Sequence, residues 1–551
     1  MVERFVKVYV DNVQHQVQVG TPIVAVLGRR GENGKPLLGA VLNNRLVSLS
    51  TPIRGVSYIR PVTDEGREGQ IIYRRSISLV LAQALQEVVP NIRLSIGQSL
   101  GEGYFFELVG DESIPPKTID EIAARMHMII DEDRPFITEE IDINEAVSLF
   151  STEKSFDCVR LLKILPADTV AVVSLGGEHH LLHGPVALTA GGLNRFKLEM
   201  YNGGLILQFP SVVFYQREVS DTPRLFKVYR DTRRWNEIIG VSDVGQFNEL
   251  CIHGGVGEIV KVSEGLHEKK VAEIADRVLA RKGCKLILVA GPSASGKTTF
   301  AKRLSIQLRV NGVRPIALSL DDYYVDRDKT PRDANGILDF EALEAIDLAL
   351  LNEHFECLLN GEKVYTPKFD FAVGRRVPKG EWRSLQLGNN DVLIVEGIHG
   401  LNERLSPAVT QEHKFRCYVS ALTQLKVDNH ERVFTSDSRL LRRIVRDRRY
   451  RGYSAERTID MWPSVRRGEQ VNIFPFQEQA DAIFNSALVY EAAVLKTYAE
   501  RFLRQVPIDS AAYVEANRLL RFLSLFVAVF PEEVPHTSIL REFIGGSSFS
   551  Y

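Results

Sequence analysis

One short segment combines residue types and spacing that suit the binding of phosphate groups. Gly291, Gly296, Lys297 and Thr298 form the pattern GxxxxGK[ST] within GPSASGKTT, directly after the apolar run KLILVA and before the helical run TFAKRLSIQL. Glycines let backbone N–H groups turn toward phosphate oxygens, and a helix that begins there directs its free N–H groups at the anion. The lysine can reach the terminal phosphates, and the threonine hydroxyl can hold Mg²⁺. The spacing therefore predicts a nucleotide site, with contacts from Gly291, Ser293, Ala294, Ser295, Gly296, Lys297, Thr298 and Thr299.

Acidic residues stand at the ends of two predicted strands. The run RPIALSL leads into Asp321 and Asp322, and DVLIV leads into Glu396. In an open parallel sheet the ligand lies at the carboxyl ends of the strands, where a carboxylate can bind Mg²⁺ or accept the proton of an attacking hydroxyl. We therefore expect Asp321 and Glu396 to act at the nucleotide site. Asp322 is the weaker candidate, because it can simply begin the following loop.

An arginine-rich segment departs from the otherwise even charge balance. Residues 437–469 contain ten arginines and five carboxylates. Arg439, Arg442 or Arg443, and Arg446 recur at helical spacing and share one face of a helix. Arginine grips phosphate in a planar, bidentate manner. A lid over the nucleotide, a solvated charged face and an RNA-binding patch all fit this pattern, and the phosphate loop upstream favours the lid.

The elements that must position these residues alternate along the C-terminal half of the chain. Apolar strands are predicted at 285–290, 314–320, 391–397 and 415–420, with helical segments between them. This alternation predicts a parallel sheet covered by helices on both faces. The fold class is therefore α/β, a P-loop NTPase sheet with flanking helices.

Two smaller α+β regions are predicted before this sheet. FVKVYVDNVQHQVQV alternates as a hairpin that turns at Asp11 and Asn12, helices are predicted over 76–89 and 119–130, and 170–208 is typical of sheet. We place the domains at 1–70, 71–265 and 266–551.

Composition excludes several classes of protein. The 551 residues include 68 Lys+Arg and 70 Asp+Glu, so the net charge is −2 and the overall field does not attract nucleic acid. With 44% hydrophobic residues, disorder and fibrous repeats are excluded. Five scattered cysteines form no CxxC pair, which predicts free thiols in a reducing compartment. The N-terminus lacks a signal-peptide pattern, and the apolar run 519–530 is shorter than a membrane span, so we expect a cytoplasmic protein without a membrane contact.

Residues 266–545 resemble the uridine kinase/phosphoribulokinase family of P-loop kinases. The motifs that carry the resemblance are, in order, GPSASGKTT, SLDDYY, DFEALEAID, TPKFDF, VLIVEGIHGL and SRLLRRIVRDRRYRG. The resemblance implies transfer of the γ-phosphate of ATP or GTP, with Mg²⁺, to the 5′-hydroxyl of a nucleoside. It implies that Asp321 is the general base and Lys297 a catalytic phosphate ligand, that Thr298 and Glu396 bind Mg²⁺, and that Arg442 and Arg446 are lid residues on the nucleotide.

The acceptor side matches the family less closely. The resemblance places the carboxylate that grips the ribose hydroxyls in DFEALEAID, at Glu341 or its rival Asp339. The family's pyrimidine kinases carry a base-reading histidine shortly after YDF, and Gly374 stands at that position here. Another nucleoside, or a different sugar or polyol, is therefore an open alternative. The residues implied on the acceptor side are Tyr324, Asp339, Glu341, Phe369, Phe371, Arg376 and Arg439, although the two phenylalanines suit a core equally well.

The first two regions resemble the N-terminal part of threonyl-tRNA synthetase. Residues 1–65 are similar to its ubiquitin-like TGS domain, and residues 71–210 are similar to its editing-type domain through RRSISLVLAQALQEVVPNIRLSIGQSLGEGYFFEL and HHLLHGPVALTAGG. The positions of that domain's metal ligands hold Arg75, Leu79, Leu182 and Val186, which cannot bind a metal. The resemblance therefore implies a domain that has lost hydrolysis and serves as a scaffold, a regulatory or nucleic-acid-sensing module, or an oligomer contact.

Two further expectations concern this N-terminal half. His179, His180 and His183 lie close together, but they lack an acidic or cysteine partner pattern, so satisfied surface or loop histidines are the better interpretation. An RNA- or ribosome-associated NTPase that uses this half as its RNA contact is the main alternative to a kinase. A homo-oligomer is also compatible with the sequence.

Overall fold

The computed structural model describes residues 4–31, 34–101, 103–110, 114–210, 222–332, 336, 338–370, 373–423 and 425–551. In these ranges, no helix is long and apolar enough to cross a membrane.

The first region is a five-stranded sheet with one short helix. Its elements are β1 Phe5–Val10, β2 Val13–Gln18, α1 Ile23–Leu27, β3 Gly39–Leu42, β4 Arg45–Val47 and β5 Ser57–Val62. The strand order is β2-β1-β5-β3-β4, with β1 antiparallel to β2 and parallel to β5. The predicted hairpin is confirmed: Asp11 and Asn12 have φ of 45° and 70°, the left-handed turn that matches the twist of paired strands.

The second region packs helices against two antiparallel sheets. Its elements are α2 Arg67–Val88, β6 Arg93–Leu100, β7 Gly103–Val109, α3 Pro116–Asp131, β8 Ile137–Asp142, α4 Ile143–Thr152, α5 Phe156–Leu162, β9 Thr169–Ser174, β10 His179–Leu181, β11 Lys197–Tyr201 and β12 Gly204–Gln208. The sheets run β11-β12-β7-β6 and β10-β9-β8. Helix α2 is buried along most of its middle, so it forms the centre of this region's core.

Three helices connect this region to the last one: α6 Pro223–Ile238, α7 Val244–Ile252 and α8 Val256–Ala280. The predicted boundary between residues 265 and 266 lies inside α8, which is continuous there. The division into three domains stays a prediction.

The last region is built on a five-stranded parallel sheet. Its strands are β13 Leu286–Ala290, β14 Arg314–Ser319, β19 Asp391–Glu396, β20 Lys414–Ser420 and β21 Ala482–Asn485, in the order β14-β19-β13-β20-β21. The four predicted strands are confirmed. Because β19 pairs in parallel with both β13 and β14, the carboxyl ends of these three strands lie side by side. That adjacency brings the phosphate loop and both acidic strand ends to one edge.

Helices and short hairpins surround this sheet. The helices are α9 Lys297–Val310, α10 Leu348–Leu359, α11 Thr435–Tyr450, α12 Ala455–Asn472, α13 Glu491–Leu503, α14 Tyr513–Ser524 and α15 Arg541–Ile544. Between α10 and β19 lie two hairpins, β15 Val364–Thr366 with β18 Arg383–Leu385, and β16 Phe369–Asp370 with β17 Arg375–Arg376. Separate apolar cores lie on the two faces of the sheet, as expected for α/β architecture.

Candidate active site

The phosphate loop has the backbone geometry of an anion cradle. It joins the end of β13 to the start of α9 at Lys297, and Ala294 and Gly296 have left-handed φ of 58° and 86°. Successive right- and left-handed residues form a concave nest of N–H groups. Glycine is required at Gly296, because a Cβ there would lie 2.5 Å from Ile539 Cγ2, and at Gly291, because a Cβ would lie 2.1 Å from the Val419 carbonyl oxygen.

Side chains outside the loop hold it from behind. Three successive loop carbonyls accept hydrogen bonds: Ser293 O from Arg439 Nε at 2.9 Å, Ala294 O from Arg442 Nη1 at 3.3 Å and Ser295 O from Ser486 Oγ at 2.5 Å. The loop is therefore fixed with its carbonyls directed at protein donors. This arrangement preorganises the loop before any ligand arrives.

The predicted magnesium ligands meet at the start of α9. Thr298 Oγ1 donates to Glu396 Oε1 at 3.2 Å, and Glu396 Oε2 is buried without a partner among the described residues. Burial raises the pKa of Glu396 to about 7, against the lowering effect of Thr298 and Lys297. A hydroxyl and a buried carboxylate oxygen with free coordination capacity fit Mg²⁺, which takes few protein ligands and keeps water and phosphate oxygens.

Lys297 and Asp321 face the same space. Lys297 Nζ donates to Pro292 O at 3.1 Å, and burial lowers its pKa while Glu396 and Asp321 oppose that change. Asp321 lies in the turn after β14, and the residue is exposed to solvent. The surrounding protein raises the pKa of Asp321, and the charges of Lys297, Arg451 and Arg446 lower it. The carboxylate therefore sits among cations and is accessible to an incoming hydroxyl.

Glu341 and Asp339 have different environments. Burial and the charge of Glu469 raise the pKa of Glu341 to about 7, while Arg443 and Lys297 act in the opposite direction. Asp339 Oδ1 accepts from Glu341 N at 3.0 Å, so this carboxylate braces the backbone. The electrostatic contact with Lys297 supports Glu341 over Asp339 as the acceptor-side acid.

The other predicted acceptor-side residues surround the loop after β14. The Tyr324 hydroxyl donates to Phe340 O at 3.0 Å, and the Tyr324 ring lies 5.8 Å from the largely buried ring of Phe369. Arg376 donates to Tyr324 O, Tyr323 O and Asp347 Oδ2 at 2.9, 2.8 and 2.9 Å. These bonds support a role for Arg376 in positioning the loop. Phe371 lies outside the described residues.

Gly374 stands in a tight turn between β16 and β17. Its φ is 75°, its N–H donates to Asp370 O at 2.7 Å, and a Cβ there would lie 2.7 Å from Arg327 Nε. A histidine at this position would be strained by the positive φ, and the Arg327 guanidinium would have to move. The turn itself therefore favours glycine, which is a physical reason for the departure from the base-reading histidine.

The arginines of α11 divide into two groups. Arg439 and Arg442 are fully buried and pair with Glu469 and Glu491, so they support the loop from within the core. At the other end of the helix, Arg446 is one of the charges that act on Asp321. Direct contact of Arg439, Arg442 or Arg446 with a ligand stays a prediction.

Two further arginines also reach this site. Arg443, the alternative to Arg442 in the helical spacing, donates from Nη1 to Ser293 Oγ at 2.8 Å, and Arg451, which the sequence did not single out, acts electrostatically on Asp321. The only available signal for Arg451 was its place in the arginine-rich segment, which does not separate it from solvated arginines.

The end of the chain contacts the phosphate loop helix, which the sequence did not predict. Thr299 donates to Glu542 Oε2 from its backbone N at 3.2 Å and from Oγ1 at 2.7 Å. Tyr551 places its hydroxyl 2.8 Å from the same Oγ1, and Lys302 Nζ donates to Ser550 O at 2.6 Å. Both donor groups of Thr299, predicted to bind nucleotide, are therefore occupied by the chain's own C-terminal segment.

A loop of the last region inserts into the second region. Arg75 forms a bidentate pair with Glu431, with Nε–Oε2 and Nη2–Oε1 both 3.1 Å. Asn429 is held on both sides: its O accepts from Ile96 N at 2.8 Å and its N donates to Asp157 Oδ2 at 2.6 Å. The loop 425–432 leads directly into α11, so the two halves are joined beside the helix that supports the phosphate loop.

The other positions at which the editing-type domain has metal ligands hold apolar residues, and the histidines nearby have protein partners. Leu79 and Val186 lie in the apolar core of the second region, and Leu182 packs against it. The three neighbouring histidines have protein partners: His179 Nδ1 lies 2.8 Å from Glu153 Oε1, His183 Nε2 lies 2.5 Å from Asp428 Oδ2, and the His180 ring centroid lies 4.2 Å from that of His430.

Comparison with known proteins gives separate matches for the two halves. Residues 286–491 match the family described as Phosphoribulokinase / Uridine kinase family. The threonine–tRNA ligase of Aquifex aeolicus is 28% identical over 228 residues, which cover 41% of this chain and 34% of the ligase. That of Desulforamulus reducens is 28% identical over 190 residues, covering 34% and 30%. The chain thus spans about a third of the length of these curated relatives.

A solved structure described as a possible uridine kinase from Bacillus stearothermophilus is 19% identical, with a TM-score of 0.28, and the match covers 39% of this chain and 98% of that chain. The predicted double resemblance is confirmed by the matches in sequence. This chain joins a phosphoribulokinase/uridine kinase family domain at residues 286–491 to an N-terminal half that is similar to threonine–tRNA ligases.

Proposed function

We propose that the C-terminal region is an ATP- or GTP-dependent kinase that requires Mg²⁺ and phosphorylates the 5′-hydroxyl of a nucleoside. One observation carries the proposal. The phosphate loop, the Thr298–Glu396 pair and Asp321 converge at the adjacent ends of β13, β19 and β14. An enzyme that only hydrolyses a nucleotide needs the phosphate loop and the Thr298–Glu396 pair. It does not need an accessible carboxylate at the position of an attacking hydroxyl.

Each group has a role in phosphoryl transfer, in which positioning and charge neutralisation supply most of the catalysis. Lys297 neutralises the terminal phosphates, and the charges of Arg446 and Arg451 act on Asp321. Asp321 accepts the proton of the attacking hydroxyl. Thr298 and Glu396 would hold Mg²⁺, which neutralises phosphate charge when bound.

Fewer residues support a nucleoside as the acceptor than support phosphoryl transfer itself. Glu341 offers a carboxylate to paired sugar hydroxyls, and Phe369 and Tyr324 offer rings beside it. Gly374 leaves the base without the expected histidine, so a purine nucleoside or another sugar or polyol fits as well as uridine. RNA contact through the N-terminal half and a homo-oligomer stay predictions.

A panel assay tests the proposal. The full chain is incubated with ATP or GTP, Mg²⁺ and each of a set of nucleosides and polyols, with ADP or GDP release and product mass followed together. We expect one class of acceptor to gain a phosphoryl group. Asp321→Asn should lower turnover by about 10²- to 10⁴-fold, the usual contribution of a general base. Asp322→Asn is the matched control, because Asp322 is the neighbouring acid and its Oδ1 accepts from a backbone group, Phe369 N, at 3.4 Å.

Nucleotide hydrolysis that RNA stimulates, without any phosphorylated acceptor, would instead support the NTPase alternative. Equal turnover of Asp321→Asn and the unchanged protein would remove Asp321 from the mechanism.

A further inference from the structure

A cavity lies away from the phosphate loop, on the outer side of the edge strand β21. Its volume is about 560 Å³, within the range of about 300–1,000 Å³ typical of small-molecule sites. Helices α6 and α8 form two of its walls, and its apolar lining includes Val228, Val262, Leu266, Ile274, Phe484 and Phe526. The cavity is therefore large enough for a ring-containing molecule and mainly apolar.

Four polar side chains in the lining retain hydrogen-bonding capacity. Each has a buried atom without a partner among the described residues: Asn236 Nδ2, His267 Nδ1, Ser438 Oγ and Glu491 Oε1. All four side chains are at most 5% exposed. The four lie on different helices, α6, α8, α11 and α13. Buried polar atoms are usually paired, so four in the lining of one cavity point to a polar occupant.

Backbone groups add to this capacity. Among the described residues β21 pairs only with β20, so its other edge has N–H and C=O groups on the side of the cavity. Just before this strand, Arg224 already donates to Ala480 O and Arg277 donates to Asp481 O. A ligand with a neighbouring donor and acceptor could add to this edge in the same way.

The buried polar groups of the lining favour an uncharged ligand, whereas charged residues such as Lys227 and Asp231 are exposed. Burial lowers the pKa of His267 to about 3, so its ring is neutral at physiological pH. Glu491 is neutralised by Arg442, and Lys270 at the rim pairs with Glu273 at 2.9 Å. An ionic ligand would lose hydration without gaining an unpaired counter-ion from these groups.

One wall residue connects the cavity with the phosphate loop. The Glu491 carboxylate pairs with Arg442, and Arg442 donates to Ala294 O at 3.3 Å and to Ser486 O at 2.8 Å. A ligand that bonds to Glu491 Oε1 alters the partner of the guanidinium that holds the loop. Two side chains, Glu491 and Arg442, therefore connect the cavity with a carbonyl group of the phosphate loop.

We propose that this cavity is a second ligand site, specific for an uncharged cyclic amide with a flat apolar ring, and that its occupation changes nucleotide affinity. The ring fills the apolar space between α6 and α8. The adjacent N–H and C=O bond to Glu491, Asn236 or the edge of β21. The site needs no phosphoryl transfer, so it stands apart from the proposed kinase reaction.

Titration of the full chain with 2-quinolinone, a fluorescent cyclic amide, tests the proposal. We expect saturable binding, and binding at least tenfold weaker for N-methyl-2-quinolinone, which lacks the N–H donor. Val262→Trp fills the open side of the cavity from α8 and should lower affinity for 2-quinolinone at least tenfold. Leu279→Trp is the matched control, because Leu279 is on the same helix, is also 37% exposed and does not line the cavity.

The coupling is measured as the Kd for Mg·ADP with and without saturating 2-quinolinone. We expect a change of at least threefold that disappears in Val262→Trp. No saturable binding, equal binding of the two ligands, or equal effects of the two tryptophan variants would overturn the site. An unchanged Kd for Mg·ADP would overturn its effector role. Because 2-quinolinone binding is read without turnover, failure of this site and failure of the proposed kinase activity are distinguishable.

Discussion

The carboxylate of Glu542 accepts hydrogen bonds from both the backbone N–H and the hydroxyl of Thr299, at 3.2 and 2.7 Å. Thr299 is the third residue of α9, the helix that begins at the phosphate loop, and a phosphate oxygen would use the same two donors. An anionic group of the protein therefore occupies part of the predicted nucleotide site. Glu542 also acts electrostatically on Lys297. We therefore predict that Glu542 competes with a nucleotide for these two donors.

Replacement of Glu542 should strengthen nucleotide binding. Glu542→Gln keeps a hydrogen-bond acceptor but removes the negative charge beside the loop, so we expect Mg·ADP to bind about 3- to 10-fold more tightly, the range of a single partly buried charge near a helix N-terminus. Isothermal titration calorimetry measures the affinity. Glu533→Gln, an exposed acid of the same C-terminal region, should leave the affinity unchanged. Equal affinities for both variants would contradict competition by Glu542.

Loss of Arg442 should weaken the phosphate loop. Arg442→Lys keeps the charge but cannot reach Ala294 O, Ser486 and Glu491 together, because lysine lacks the planar fork. We expect nucleotide affinity to fall by about tenfold or more, on the order of the loss of one charge-assisted hydrogen bond. Arg448→Lys, an exposed position of the same helix, is the control in the same titration. A normal affinity in Arg442→Lys would show that the loop is held without this residue.

The dependence of the free energy of unfolding on pH should reflect the titration of Glu341. Its folded-state pKa of about 7 lies above the ordinary value of 4.5, so the ligand-free folded protein holds a proton that the unfolded chain releases between these values. This contribution to the free energy of unfolding is complete below the lower value and is lost as the pH rises through 7. We expect the Tm of ligand-free Glu341→Gln, relative to that of the unchanged protein, to rise between pH 5 and pH 8.

Binding of the acceptor should become stronger as the pH rises, whereas the contribution of Glu341 to stability is lost. An ionised Glu341 is the better acceptor for sugar hydroxyls, so KM for the acceptor should fall as the pH rises through 7, and this fall should disappear in Glu341→Gln. KM for ATP also changes in this range, because the pKa of Glu396 is about 7 too, but that change should be the same in both proteins. Measurement of both KM values from pH 6 to pH 8.5 tests this, and an equal fall of the acceptor KM in Glu341→Gln would assign the effect to another group.

The pair Arg75–Glu431 should contribute to stability as a unit. Its side chains are 13% and 14% exposed, and removal of one partner leaves a largely desolvated charge. We expect Arg75→Met and Glu431→Gln each to lower the Tm, and the double variant to lower it by less than the sum of the two. The surface pair Arg29–Asp133, 64% and 45% exposed, is the control, and Arg29→Met should have almost no effect. Additive losses at Arg75 and Glu431 would exclude a direct coupling.

The sequence alone determined the features that depend on short spacing. The phosphate loop, the acids after β14 and β19, the hairpin at Asp11 and Asn12, and the parallel sheet all follow from neighbouring residues whose backbone preferences and periodicity act locally. The fifth strand, Ala482–Asn485, escaped prediction because four residues give no clear period. The boundary at 265/266 could not be read from composition, because helix α8 passes through it without a break.

Only the tertiary structure decided what these parts contact. Thr299 and Glu542 are separated by 243 residues and Arg75 and Glu431 by 356, so no local pattern connects them. The arginines of α11 have one helical spacing, yet some pair within the core and others face Asp321, because the packing of the helix against the loop, α12 and α13 selects the side that is buried. Motifs fix which chemistry is available, whereas burial and long-range pairing fix which of these side chains are free to perform it.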